Sequence, residues 1–247
     1  MKKQIYQIEL AGHPIKYAFT FPETQKYFTR WICISDGEPD ISASQESIEY
    51  ARQFLPADSE NGYVEYRLMI SMTSAELLKY DACVFHSVSF FWKDKAWLLT
   101  APSGTGKTTQ LQNWRQEYPN EIKIMNGDMP VLERRKDGSI WVHPSPWNGK
   151  EKMGTALSAP LGGIVYLEQG DKNCVKIPKT LEMIKPILFQ FLVCPETEPQ
   201  LRALLRILDS MLTSVPVWIF SNLGDTASTA LLRDTIAKAA GGEDDAL

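Results

Sequence analysis

No apolar stretch in the 247 residues reaches membrane-spanning length, because Lys, Glu or Pro breaks every hydrophobic run short of the roughly 20 residues a bilayer requires. The start has Lys2 and Lys3, but Gln4, Gln7 and Glu9 interrupt the apolar residues after them, which excludes a secretory signal. A soluble cytoplasmic protein with no membrane partner is expected. Charge of one sign is also lacking: 26 basic against 30 acidic residues give a net charge of -4, with no general electrostatic attraction to nucleic acid. Cysteine is sparse. Cys33, Cys83, Cys174 and Cys194 lie far apart, with no Cys-x-x-Cys pair and no histidine at zinc spacing, so reduced structural thiols are expected. There is no internal repeat. The apolar fraction is 44% and the charged fraction 23%, an ordinary globular balance that excludes wholesale disorder and allows one core, or a small domain on a larger one.

The pattern along the chain predicts a mixed α/β protein. Residues 1–80 read as a β-rich subdomain, with strands over Gln4 to Leu10, Pro14 to Phe21, Thr29 to Ser35 and Tyr63 to Ile70, and short helices at Ser47 to Phe54 and Ser74 to Tyr80. Residues 81–240 read as a second domain. Val88 to Trp92 and Ala96 to Thr100 form a hairpin about Lys93-Asp94-Lys95, with a helix from Lys107 to Arg115 soon after. Strands follow at Glu121 to Met125, Val131 to Glu133, Ser139 to His143 and Leu161 to Glu168. Three-and-four spacing then predicts helices over Leu181 to Leu192, Glu198 to Thr213 and Thr226 to Ala239, with a strand at Val215 to Phe220. Residues 241–247 read as an acidic tail.

The segment Ala101 to Thr108 has the composition of a phosphate-binding loop. Gly104 and Gly106 let successive backbone N–H groups curl toward phosphate oxygens, Lys107 has the reach for the β- and γ-phosphates, and Thr108 offers a hydroxyl to magnesium. Ser103, Thr105 and Thr109 complete the nucleotide contacts, and the helix after the loop directs its positive end at the anion. ATP chemistry also needs a carboxylate at the end of a neighbouring strand. Asp128 fits, as magnesium ligand or as base, the competing reading being a turn cap before Pro130. A hairpin centred on Asp94 sets Trp92 opposite Ala96 and brings His86 opposite Pro102, beside the loop. The stretch Pro144 to Lys152 holds Trp147, Asn148 and Lys150 in a Pro- and Gly-broken loop suited either to a site or to plain surface. Trp31, Trp92, Trp97 and Trp114 read as core.

Taken together, His86 fifteen residues ahead of Ala101, the loop itself and the Asp128 strand resemble the HPr kinase and ATP-dependent phosphoenolpyruvate carboxykinase superfamily, and more closely its small HPr kinase-like members in bacterial biosynthetic clusters. His86 to Val88, Thr100 to Thr109, Asn126 to Pro130, Pro146 to Glu151 and Pro160 to Glu168 carry the likeness. It implies a phosphate-loop core with a helical C-terminal part, ATP and Mg2+, and phosphoryl transfer to a hydroxyl of a protein, peptide or small molecule. It places His86, Asp128 and Lys150 in the catalytic centre, and homo-oligomers occur among the relatives. Two departures stand out. Gly127 replaces one of two consecutive acidic residues and Met129 replaces a lysine, so Asp128 alone serves as metal ligand, as base or as only one of these, unless Glu151 or Glu168 substitutes. A nucleotide-binding scaffold or sensor is the alternative function, and a motor-like ATPase, for which no arginine finger can be named, ranks behind both.

Overall fold

The computed structural model describes residues 3–149 and 154–241. Its first strands, β1 (Ile5–Leu10) and β2 (His13–Ala18), turn tightly at Ala11 and Gly12, both at positive φ, and β3 (Ile32–Ser35) pairs antiparallel on the other side of β1. Helix α1 (Gln45–Arg52) is capped by the Ser44 hydroxyl, which accepts from the Ser47 N–H at 3.1 Å. The stretch expected as a strand at Tyr63 to Ile70 is instead part of helix α2 (Asn61–Leu77), which also absorbs most of the short helix expected at Ser74 to Tyr80. Alternation in Val64-Glu65-Tyr66-Arg67-Leu68 mimics a strand only over that short window. The buried residues Gly62, Glu65, Met69, Thr73 and Leu77 recur at helical spacing and decide the outcome. The sheet of the N-terminal part is thus confined to residues 5–35, and two helices fill the rest.

Glu65 is fully buried and accepts from the Thr20 N–H at 2.6 Å, the Phe21 N–H at 3.0 Å and the Thr24 hydroxyl at 2.5 Å. It fastens the 3-10 turn Pro22–Tyr27 to α2.

The main sheet begins with β4 (Ala82–Val84), β5 (Ser87–Trp92) and β6 (Lys95–Thr100); after α3 (Lys107–Glu117) come β7 (Lys123–Asn126), β8 (Val131–Arg134), β9 (Ile140–His143) and β10 (Ala159–Gln169). Then follow β11 (Cys174–Lys176), α4 (Thr180–Leu188), α5 (Glu198–Ser214), β12 (Val217–Asn222) and α6 (Thr226–Ala240). The strand order is β4-β8-β9-β10-β6-β5-β7, with β12 on β10 and β11 on β12. Strand β10 pairs antiparallel with β9 at Ala159 and Pro160, then runs parallel between β6 and β12, and so joins the two parts of a curled sheet. Its register shifts between Leu161 and Gly163, where a Cβ on Gly163 would lie 2.8 Å from the Trp218 ring and 2.9 Å from that of Trp97.

Alternation along β6 and β10 assigns each face its helices. Leu98 and Ile164 pack under α4 and α5, whereas Trp97, Leu99, Val165 and Leu167 pack with Leu111 and Trp114 of α3 and Leu232 and Ile236 of α6. The β5–β6 hairpin is one residue off the expected register: Trp92 pairs with Lys95 and Ser87 with Thr100, so the turn is Lys93-Asp94 alone, with φ of 49° and 61°. Extending that ladder puts His86 opposite Ala101 rather than Pro102. No helix among the described residues is long and apolar enough to cross a membrane, and all four cysteines are unpaired.

Candidate functional site

The glycine-rich loop runs from the end of β6 into α3, and its glycines are needed for backbone shape. Gly104 and Gly106 have φ of 81° and 107°, and a Cβ on either meets nothing within 4 Å, so conformation rather than crowding selects glycine and free volume lies over the loop. Lys107 opens α3 and is 7% exposed; its ammonium donates back to the Ala101 carbonyl at 2.8 Å and the Pro102 carbonyl at 3.2 Å. Burial pushes the Lys107 pKa down, and the charge of Asp128 works against that shift. Thr105 closes the loop by donating to the Pro102 carbonyl at 2.8 Å. Ser103, Thr108 and Thr109 are exposed. Gln110, one residue further, is buried and hydrogen-bonds Thr229 and Ser228 of α6 at 3.2 Å each, which fixes the orientation of α3. On one side the loop and Tyr166 to Gln169, at the end of β10, enclose a hollow of about 330 Å³ that includes Glu168.

Asp128 stands on a turn after β7, and the residues around it are heavily tied. The Asn126 side-chain oxygen accepts from the N–H groups of Asp128 and Met129, both at 2.8 Å, while its amide donates to the Ser145 hydroxyl at 3.1 Å. Ser145 in turn donates to the Met129 carbonyl at 2.5 Å, and the Asn148 oxygen accepts from the Gly127 N–H at 2.5 Å. The segment from Pro144 to Gly149 is therefore the clamp on the Asp128 turn, and Trp147 within it is buried. Lys150 and Glu151 lie outside the described residues.

His86 sits in the gap between β4 and β5, held by both neighbours. Its N–H donates to the Gln190 carbonyl at 2.8 Å, the next N–H, of Ser87, donates to the Asp128 carbonyl at 2.9 Å, and Thr100 donates to the His86 carbonyl at 2.8 Å. Its ring Nδ1 lies 3.1 Å from the Gln190 side-chain oxygen, which places the N–H of the neutral ring on Nδ1 and turns Nε2 toward Asp128, 3.8 Å from its carboxylate. Burial, then the charge of Lys107, lowers the His86 pKa, and Asp128 opposes them. Burial raises the Asp128 pKa, and His86, Arg67 and Lys107 in that order pull it back. Two groups whose proton affinities converge from opposite sides are suited to share and pass a proton.

Asp128 also lines a cavity of about 480 Å³ whose other wall comes from the N-terminal part: Lys26, Tyr27, Trp31, Tyr63, Tyr66 and Arg67 among others. The fold thus gathers His86, Lys107 and Asp128, with Glu168 at the edge of the loop. Three participants had no usable sequence signal. Gln190 is 104 residues from His86, and Arg67 lies in a stretch whose short-range alternation reads as strand. Trp31, expected in the core, is half-buried and lines the cavity.

No protein-family model matches the chain. No curated protein matches it. Among solved structures it is similar to the Hpr(Ser) kinase/phosphatase from Coxiella burnetii, at 13% sequence identity and a TM-score of 0.37, over 64% of this chain and 99% of that one.

Proposed function

We propose that this protein is an ATP- and magnesium-dependent phosphotransferase of the HPr kinase-like type, acting on a hydroxyl of a protein, peptide or small molecule. The observation that carries this reading is the convergence of Asp128 and His86 beside the buried Lys107 at the foot of a glycine loop that opens onto free volume. Lys107, released from the Ala101 and Pro102 carbonyls, neutralises the terminal phosphates, while the loop N–H groups and the start of α3 hold the remaining charge. Magnesium characteristically keeps several waters and takes one or two carboxylates besides phosphate oxygens, so Thr108 and Asp128 are a sufficient protein contribution. Among the described residues no group of three His, Cys, Asp or Glu side chains forms a larger cage. When bound, the ion spreads the charge of the transferring phosphoryl group.

Asp128 accepts the proton of the attacking hydroxyl. Its raised pKa makes it a better base than an exposed aspartate, and the free Nε2 of His86 is placed to relay that proton or to stabilise it. Labelled ATP and magnesium, incubated with the protein and host lysate, test the reading. Wild type transfers the γ-phosphate, and Asp128→Asn keeps nucleotide binding but loses transfer by a factor on the order of 10² or more. A wild-type protein that binds ATP and labels nothing removes the proposal.

A nucleotide-binding scaffold is the second reading, favoured by Gly127, which leaves one carboxylate on the Asp128 turn. A gain of transfer in Gly127→Asp over a silent wild type supports it.

A further inference from the structure

The cavity in front of Asp128 contains none of the glycine-loop residues. Nucleotide side and acceptor side therefore meet at Asp128, and the chemistry of the cavity wall describes what arrives from the acceptor side. Part of that wall is aromatic. Tyr27 and Tyr66 are stacked with centroids 4.7 Å apart, and Tyr63 closes the cluster at 5.8 Å from Tyr27 and 6.2 Å from Tyr66. Cations form the other part. Lys26 is neutralised by Glu60, with which it is ion-paired and hydrogen-bonded. Arg67 has no such partner: among the described residues its guanidinium makes no hydrogen bond or ion pair, though it is half-buried and its charge is felt by both Asp128 and His86. Arg30, which is exposed, adds a second guanidinium, and among the described residues Asp128 is the sole carboxylate lining the space. At about 480 Å³ the cavity has the size of a small-molecule or single-residue pocket rather than of an extended interface.

We propose that this cavity is the acceptor subsite, and that it takes a hydroxyl-bearing molecule or residue carrying a flat apolar body and an anionic group, with the ring against the Tyr27–Tyr66 stack and the anion on Arg67. The inference rests on the phosphotransferase reading for its chemistry but not for its binding. In the transfer step the acceptor oxygen forms a bond to the γ-phosphorus as the bond from that phosphorus to the β–γ bridging oxygen breaks. ADP leaves with the electron pair, and the hydroxyl proton goes to Asp128. A guanidinium fork suits a planar carboxylate, and aromatic faces suit a ring, so the two recognition elements separate experimentally.

Three probes make that separation: 3-phenyllactate with ring, hydroxyl and carboxylate; 3-phenyllactamide without the charge; and lactate without the ring. Calorimetric binding to the full chain without nucleotide is expected to favour phenyllactate over each of the others by roughly tenfold. Arg67→Gln is expected to erase the preference for acid over amide, with binding of the amide, binding of a non-hydrolysable ATP analogue and the melting temperature unchanged. Tyr66→Ala is expected to weaken both ring-bearing probes and to leave lactate as it was. Absence of binding by all three probes overturns the inference, as does equal binding of acid and amide by wild type. An Arg67→Gln variant that loses the ATP analogue instead of the probe also overturns it. With the binding pattern intact but no phosphoryl transfer to phenyllactate or to lysate acceptors, the phosphotransferase reading fails and the ligand pocket stands.

Discussion

Asp128 is where function and stability pull apart. Burial raises its pKa despite the opposing charges of His86, Arg67 and Lys107, so its folded value lies above its unfolded one. A group of that kind contributes its full share of stability below the unfolded pKa and loses it as pH rises through the folded pKa. At neutral pH the ionised carboxylate therefore costs stability. Asp128→Asn is expected to melt no lower than wild type at pH 7, with the gap between them narrowing as pH falls from neutral to the ordinary carboxylate range and constant below it; a clear drop in melting temperature at pH 7 contradicts this. The rate follows the same shift. The proposed transfer needs the ionised base, so its acid limb is expected above the usual aspartate range. An acid limb within the usual aspartate range contradicts the raised pKa.

Among the elements, α2 depends on a single buried carboxylate. Truncating Glu65 to Ala leaves the N–H groups of Thr20 and Phe21 and the Thr24 hydroxyl without their acceptor, and each stranded donor costs about 1–3 kcal/mol. Glu65→Ala is expected to lower the unfolding free energy by about 3 kcal/mol or more in a denaturant titration. It is also expected to disturb the cavity, since Tyr27, on the turn Pro22–Tyr27, and Tyr66 face each other across that junction. The β5–β6 turn offers the opposite change. Lys93 and Asp94 occupy a two-residue turn with both φ values positive, a geometry Asn-Gly adopts with less strain. Replacing the pair by Asn-Gly is expected to stabilise by about 0.5–1 kcal/mol, the relief of left-handed strain less the entropy glycine adds to the unfolded chain. No gain in the denaturation midpoint means that the flanking strands, not the turn, fix the register.

For the whole molecule, the expected division at residue 80 does not coincide with a break in the core. One apolar cluster contains Ile8, Tyr17 and Phe28 of the N-terminal part together with Met129, Val131 and Trp147, the residues that surround the Asp128 turn. Shared burial of this kind couples the unfolding of both parts. Calorimetry is expected to give a single cooperative transition, and two resolved transitions disprove the coupling. The same sharing explains how the cavity wall is built. Residues more than 60 positions before Asp128 face it because the N-terminal sheet and α2 pack on the segment that comes after β7.

The glycine loop, the Asp128 turn, the hairpin before the loop and the three C-terminal helices were legible in the sequence, although α4 ends at Leu188 rather than Leu192, because each depends on local chemistry: glycine at positive φ, apolar periodicity, a strand ending at a carboxylate. His86 was legible through hairpin arithmetic, off by one residue because the turn uses Lys93-Asp94 alone. The stretch from Tyr63 to Ile70 reads as strand and folds as helix, since a five-residue alternation is too short to separate the two where neighbouring packing decides. Local pattern determined the mixed α/β class and the glycine loop between β6 and α3. The tertiary structure alone decided that Gln190 orients His86, that Asn126, Ser145 and Asn148 clamp the Asp128 turn, and that Arg67 and the tyrosines face it. Those contacts join residues far apart in the chain, and such contacts form only when the core brings their elements together.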